Sequence, residues 1–211
     1  TATTPAISTE TLRRIGPSSS AGRVSPDGQQ IALTVRSPGV ADVWIVPTGD
    51  GEPRRLTLDT AEDEFAVWSP DGKSLAYSSA NTGTSRRIFT QNAQGGAKPT
   101  LITTWPRHVH VSSWSPDGRW LAIYDYTATP GSDVWLVSID GRQSRAVASG
   151  PDNEARGEFS PDGHWLAYES QETGQFEVFL ASLPSMNIRR QVSTSGGRLP
   201  RWDATGRLYY L

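Results

Sequence analysis

The chain has 211 residues, a formal charge of −2, 36% hydrophobic and 20% charged residues, 20 glycines, 15 prolines, 8 tryptophans and no cysteine. That length can bury a core, and the lack of cysteine excludes a disulfide framework, a thiolate zinc site and a cysteine nucleophile. Charges of both signs are interspersed, so no basic field marks nucleic acid as a partner, and no apolar run approaches the ~18 residues that would imply membrane insertion by this segment.

Residues 1–5 carry neither an initiator Met nor a signal-peptide pattern and read as a processed or trimmed start. Thr11-Leu12-Arg13-Arg14-Ile15 resembles a later segment, Pro53-Arg54-Arg55-Leu56, and residues 8–14 would form at most one helical turn. The first copy of an internal repeat follows. The tetrapeptide Ser-Pro-Asp-Gly begins at Ser25, Ser69, Ser115 and Ser160, at spacings of 44, 46 and 45 residues, and residues 203–206 (Asp-Ala-Thr-Gly) are a degenerate fifth copy. Pro presets the φ of the first central turn position, Asp can bond its own backbone, and Gly accepts the left-handed conformation, so each copy predicts a hairpin tip.

Trp68, Trp114, Phe159 and Trp202 precede the turns, and period-two apolar runs such as Leu75-Ala76-Tyr77 and Leu121-Ala122-Ile123 follow them. About ten residues further on, Asp42-Val43-Trp44, Arg87-Ile88-Phe89, Asp133-Val134-Trp135 and Glu177-Val178-Phe179 open a third strand in each copy. Arg54-Arg55-Leu56-Thr57, residues 99–102, residues 145–147 and residues 190–192 supply a fourth. One four-stranded antiparallel sheet per repeat, at this period, predicts an all-β fold, a β-propeller forming a single domain over residues 1–211, with turns at 25–28, 69–72, 115–118, 160–163 and 203–206.

Two closures compete. In one, five blades lie within this chain and residues 11–15 add the outer strand to the last blade; in the other, the chain is part of a propeller of six or more blades.

The run Trp68 to Ser79 (Trp-Ser-Pro-Asp-Gly-Lys-Ser-Leu-Ala-Tyr-Ser-Ser), followed by an aromatic strand and a Gly turn, resembles the TolB-like, WD-like bacterial propeller repeat over residues 22–210. The last fifty residues are similar to the sensor propellers of bacterial serine/threonine kinases and transcription regulators. The resemblance implies a periplasmic or extracytoplasmic location and a docking role. It also reaches propellers that shield the active site of prolyl-oligopeptidase-type peptidases, so it specifies fold far better than function.

The turn serines lack a nucleophile elbow and a matching His, and the repeated Asp27, Asp71, Asp117 and Asp162 read as turn chemistry, since a catalytic group is normally needed once. Arg13-Arg14, Arg54-Arg55, Arg86-Arg87 and Arg189-Arg190 read as charges guarding sheet edges against a phosphate-binding stripe. His164 has no evident companion. His108 and His110, two residues apart on a strand, project to one face. Aligned on the turns, His110 stands level with Ser20, Glu64, Ala155 and Arg198, and His108 with Glu62 and Asn153.

Glu62, Asp63, Glu64, His108, His110, Glu154, Arg156 and Arg198 are therefore the expected rim of a channel mouth. The expected function is a non-catalytic binding or scaffold module taking a protein or peptide partner, or a small ligand, at that mouth, with no cofactor. One alternative is a channel-mouth hydrolase or lyase using His108, His110 and nearby carboxylates with a metal ion. Another is a structural array that self-associates through its incomplete blade.

Overall fold

The computed structural model describes residues 19–80, 85–126 and 131–211, and among them it contains eighteen β-strands and no helix. Residues 11–15, and the single helical turn expected at 8–14, lie outside the described residues. The strands fall into repeats of four. β1 (Ser19–Val24), β2 (Gln30–Ser37), β3 (Val40–Pro47) and the short β4 (Arg54–Arg55) make the first blade; β5 (Glu62–Trp68), β6 (Ser74–Ala80), β7 (Arg86–Asn92) and β8 (Thr100–Trp105) make the second. β9 (His108–Trp114), β10 (Trp120–Tyr126), β11 (Ser132–Ser138) and β12 (Ser144–Ala148) form the third, and β13 (Glu154–Phe159), β14 (Trp165–Ser170), β15 (Glu177–Ser182) and β16 (Arg189–Gln191) the fourth. β17 (Arg201–Trp202) and β18 (Leu208–Tyr209) form a two-stranded hairpin.

Pairing within each blade is antiparallel and sequential, β1-β2-β3-β4 through β13-β14-β15-β16. The hairpins between first and second strands explain this order. In all four Ser-Pro-Asp-Gly copies the Ser hydroxyl donates to Asp Oδ1 at 2.6 Å, and the Gly N–H donates to the Ser carbonyl at 2.9 Å. The same Asp oxygen accepts the N–H of the residue after Gly, which closes an Asx turn around a glycine at φ near +70°. Residues 138–141 (Ser-Ile-Asp-Gly) repeat this bonding between the third and fourth strands of the third blade.

Two compact units, residues 1–106 and 107–211, each hold two blades. In the first, Ala32, Val43 and Ile45 pack with Ala66, Trp68, Leu75 and Tyr77 of the next blade, whereas Ile31, Leu33, Val35 and Val46 gather on the opposite face of β2 and β3. That split is the period-two alternation of the sequence made physical. In the second, Ala122, Val134 and Leu136 pack with Phe159, Leu166, Tyr168 and Phe179. Each fully buried side chain of this size contributes about 1.5–3 kcal/mol.

Pre-turn tryptophans also bond between blades: Trp68 Nε1 donates to the Arg23 carbonyl at 2.8 Å, and Trp202 Nε1 donates to the Glu158 carbonyl at 3.1 Å. Trp114 instead donates to the Gly118 carbonyl of its own turn.

Every first strand of a blade is bulged by one residue four to two positions before its turn serine. Phe65 (φ 56°) and Arg156 (φ 58°) occupy the left-handed region in β5 and β13, and Leu199 (φ 54°) does so at the matching place before β17. The third blade has Val111 there. A β-branched residue tolerates positive φ poorly, and the irregularity in β9 falls at Ser112, between Val111 and Ser113.

Candidate functional site: the outer end of the inner strands

The bulge fixes which residues stand at the end of each inner strand away from the Ser-Pro-Asp-Gly hairpin. Five residues before the turn serine, Ser20 pairs with Thr34, Glu64 with Ser78, His110 with Tyr124 and Ala155 with Glu169. Arg198 exchanges both backbone hydrogen bonds with Leu211 at 2.8 Å, continuing the β17–β18 ladder. One structural position is thus occupied by Ser, Glu, His, Ala and Arg.

In the first unit Glu64 is buried and accepts from Arg36 and, at 3.1 Å, from Arg86. Arg86, itself buried, also lies 3.7 Å from the exposed Glu62. Asp63, between them, points to the opposite face and is 1% exposed, with neither carboxylate oxygen in a well-formed hydrogen bond. Burial pushes its pKa up to about 6, against the opposing pull of the nearby Ser79 and Thr57 hydroxyls; the Asp59 and Asp42 charges push the same way as burial.

In the second unit His110 is buried, its Nδ1 2.7 Å from the Tyr124 hydroxyl with the rings edge to face. His108 is half-buried two residues earlier. Just before it, Arg107 reaches Asp133 at 3.2 Å and the buried Asp125 at 3.5 Å. Glu154 occupies the place that Asp63 has in the second blade. It is buried, accepts from Ser170 at 3.1 Å through Oε1, leaves Oε2 without a partner, and has its pKa raised by burial. Glu169, fully buried, gathers Arg156 at 3.3 Å, Arg198 at 3.4 Å and the Leu199 N–H at 2.7 Å. The Arg198 guanidinium also lies 4.1 Å from the Phe176 ring centroid.

Four of the eight sequence-selected residues, Asp63, Glu64, His110 and Glu154, are therefore interior, and Glu62, His108, Arg156 and Arg198 are the ones that reach solvent. Arg36 in the first unit, and Tyr124 and Glu169 in the second, partner these residues and escaped sequence reading. Their signal was positional: Tyr124 and Glu169 each stand three residues after the Leu at the second position of its strand. His164 does have a companion, since its Nδ1 lies 3.2 Å from Asp162 Oδ2 and its N–H bonds Asp162 Oδ1. Among the described residues no group of three or more His, Asp or Glu side chains is placed to hold a metal ion.

No family model matches the chain. It is 24% identical over 196 residues to the uncharacterized protein Atu1656 of Agrobacterium fabrum, covering 87% of this chain and 66% of that one. It is 25% identical over 171 residues to a TolB homolog of Chlorobium luteolum, covering 80% of this chain and 37% of the relative. Among solved structures, a TolB-type protein of Agrobacterium tumefaciens superposes with a TM-score of 0.78 at 24% identity, covering 91% of this chain and 69% of that one. The fold is a TolB-like β-propeller. The fold reaches beyond TolB: an oligogalacturonate lyase solved with manganese superposes at a TM-score of 0.68 and 17% identity, over 90% of this chain and 58% of the lyase. The chain thus spans about two thirds of the first relative and about a third of the TolB homolog.

For a TolB-like propeller, the geometry above separates two tasks along one strand. The hairpin end of each inner strand is closed by its own turn bonds, while the other end carries blade-specific charges whose buried partners hold them in place.

Proposed function

We propose that the chain is a non-catalytic binding propeller of a bacterial envelope or signalling protein, taking a protein or peptide partner, or a small ligand, at the rim residues of its units: Glu62, Asp63 and Glu64 in the first, and His108, His110, Glu154, Arg156 and Arg198 in the second. The observation that carries this reading is the fixing of solvent-reaching arginines by buried carboxylates: Arg36 on Glu64, and Arg156 and Arg198 on Glu169. Guanidinium groups held in advance lose little freedom on binding, which is what a recognition surface needs. The interior members of the layer position; Glu62, His108, Arg156 and Arg198 make contact. The name of another similar protein, the Tol-Pal system protein TolB of Wolinella succinogenes, agrees with an envelope setting and a protein partner, and so with an extracytoplasmic location.

The hydrolase or lyase alternative would draw on the lyase and on similar peptidases such as YuxL of Bacillus subtilis. Its two histidines differ in role, however, with His110 engaged by Tyr124 in the interior.

The test is site-specific photocrosslinking in envelope preparations, with the photoreactive residue at Glu62 or Arg198 and, as control, at Lys98 on an outer loop. A partner captured from either rim position, and from Arg198 lost in Arg156→Glu, is expected. Equal labelling from Lys98, or none from the rim, would remove the reading.

A further inference from the structure

The β17–β18 hairpin matches the first half of a blade, and its registers show what the other half of a blade would meet. Trp202 pairs with Leu208 as Trp68 does with Leu75, Trp114 with Leu121 and Phe159 with Leu166. Arg198 meets Leu211 as Glu64 meets Ser78 and Ala155 meets Glu169. Tyr210 therefore holds the place of Tyr77 and Tyr168.

In those two blades the third strand covers the tyrosine. Tyr77 stands opposite Phe89 and Tyr168 opposite Phe179, each pair of rings stacked with centroids 6.0 Å apart and planes at 25°. Leu33 and Ile123, at the same place in the other two blades, stand opposite Trp44 and Trp135. Tyr77 is 2% exposed and Tyr168 0%, whereas Tyr210 is 42% exposed, and among the described residues β18 has β17 as its one neighbour.

The backbone of this edge is open too. Leu211 exchanges both its hydrogen bonds with Arg198, and the Arg207 carbonyl accepts from Asp203, so these residues face β17. By the alternation of an antiparallel ladder, Leu208 and Tyr210 turn their N–H and C=O groups outward, and those of Tyr210 bond no described backbone group. Such an edge is a template for another strand.

We propose that the outer edge of β18 accepts an extended segment of a partner protein as an antiparallel third strand, with a Phe or Trp of that segment stacked on Tyr210. The repeat specifies the pattern, a Val or Ile directly before the aromatic, as in Val43-Trp44, Ile88-Phe89, Val134-Trp135 and Val178-Phe179. A second copy of this chain has no such strand to give among its described residues, since β3, β7, β11 and β15 are each flanked on both sides already. In this mode of recognition the main-chain bonds supply affinity and the aromatic anchor selects the segment. The edge uses no rim side chain.

Amide exchange of the full chain, followed by NMR during titration with the capped hexapeptide Glu-Val-Phe-Leu-Ala-Ser, the sequence of β15, tests it. Two altered peptides accompany it, one with Ala for Phe and one with the Phe amide N-methylated, which removes the donor facing Tyr210. Saturable slowing of exchange at the Leu208 and Tyr210 amides is expected. Its midpoint concentration should rise at least tenfold for either altered peptide, and for the parent peptide on Tyr210→Ser. If Tyr210→Ser does not fold, the altered peptides give the answer on the unsubstituted chain. The proposal is overturned if the parent peptide leaves these amides unchanged, if either altered peptide binds as well, or if exchange slows equally along the outer strands β8 and β16. Slowing of the same amides without peptide, growing with protein concentration, would overturn it as well, because a second copy would then be the occupant.

Discussion

The Glu169 carboxylate accepts the backbone N–H of Leu199 at 2.7 Å, thirty residues on, while holding Arg156 and Arg198. Leu199 is in the left-handed region, so its N–H is turned out of the ladder and needs a partner supplied from another blade. Thr34 does the same in the first unit, its hydroxyl accepting the Phe65 N–H at 3.2 Å. The second strand of one blade thus satisfies the bulge of the next. Glu169→Ala would strand one amide and two arginines and should cost about 3–5 kcal/mol, whereas Glu169→Gln, which keeps an acceptor for Leu199, should cost about half of that. Urea unfolding measures both, and equal losses would show that the amide bond contributes nothing.

Asp63 supplies a pH test. Its folded pKa of about 6 lies above the ordinary carboxylate value of 3.8, so the native state holds the proton more tightly than the unfolded chain does. The resulting stabilisation is complete below pH 3.8 and is lost as pH rises through 6. Asp63→Asn, which cannot ionise, should therefore raise stability at pH 7.5 by ~1–3 kcal/mol, with little gain at pH 4. Thermal unfolding at the two pH values checks it; a gain independent of pH would mean that the carboxylate is not the strained group.

The hairpins were legible because their chemistry is local: Ser, Pro, Asp and Gly bond one another within six residues, so the motif announces the turn. Even so, residues 138–141 use the same bonding without the proline and did not stand out. The bulges could not be read, because Phe65, Arg156 and Leu199 share no side-chain chemistry and none is a residue that prefers positive φ. The inner-strand layer was half legible. Counting back from the turns placed Glu64, His110, Ala155 and Arg198 at one level, as the ladder registers do. Counting could not say which of them would be interior, because that depends on partners such as Arg36 and Glu169 from distant segments.

Positive φ at a non-glycine residue makes its own prediction. In β5, Phe65→Asn should be accepted with no backbone penalty, since Asn visits the left-handed region readily, while Phe65→Val should cost roughly 1–2 kcal/mol more than Asn does. Denaturation of the pair isolates the backbone effect, because both remove the same ring. Equal stabilities would mean that the strand rebuilds its bulge as β9 does around Val111.

The pre-turn tryptophan joins two effects that substitution can separate. Trp68 is 8% exposed, lies among Ala32, Ile45 and Tyr77, and donates Nε1–H to the Arg23 carbonyl of the preceding blade. Trp68→Phe keeps most of the apolar area and leaves that carbonyl without its donor, so it should cost about 1–2 kcal/mol. Trp68→Ala opens a cavity between blades and should cost about 3–5 kcal/mol. The fourth blade shows that the weaker arrangement is viable, since it carries Phe159 at this place and ties its strand instead through Ser113, whose hydroxyl accepts the Phe159 N–H at 3.3 Å and donates to the Gly157 carbonyl at 2.8 Å. Ser113→Ala should accordingly destabilise the second unit by about as much as Trp68→Phe does the first. If hydrogen exchange shows no faster opening around Gly157 and Phe159 in Ser113→Ala, the two devices are not equivalent and the tryptophan acts through packing alone.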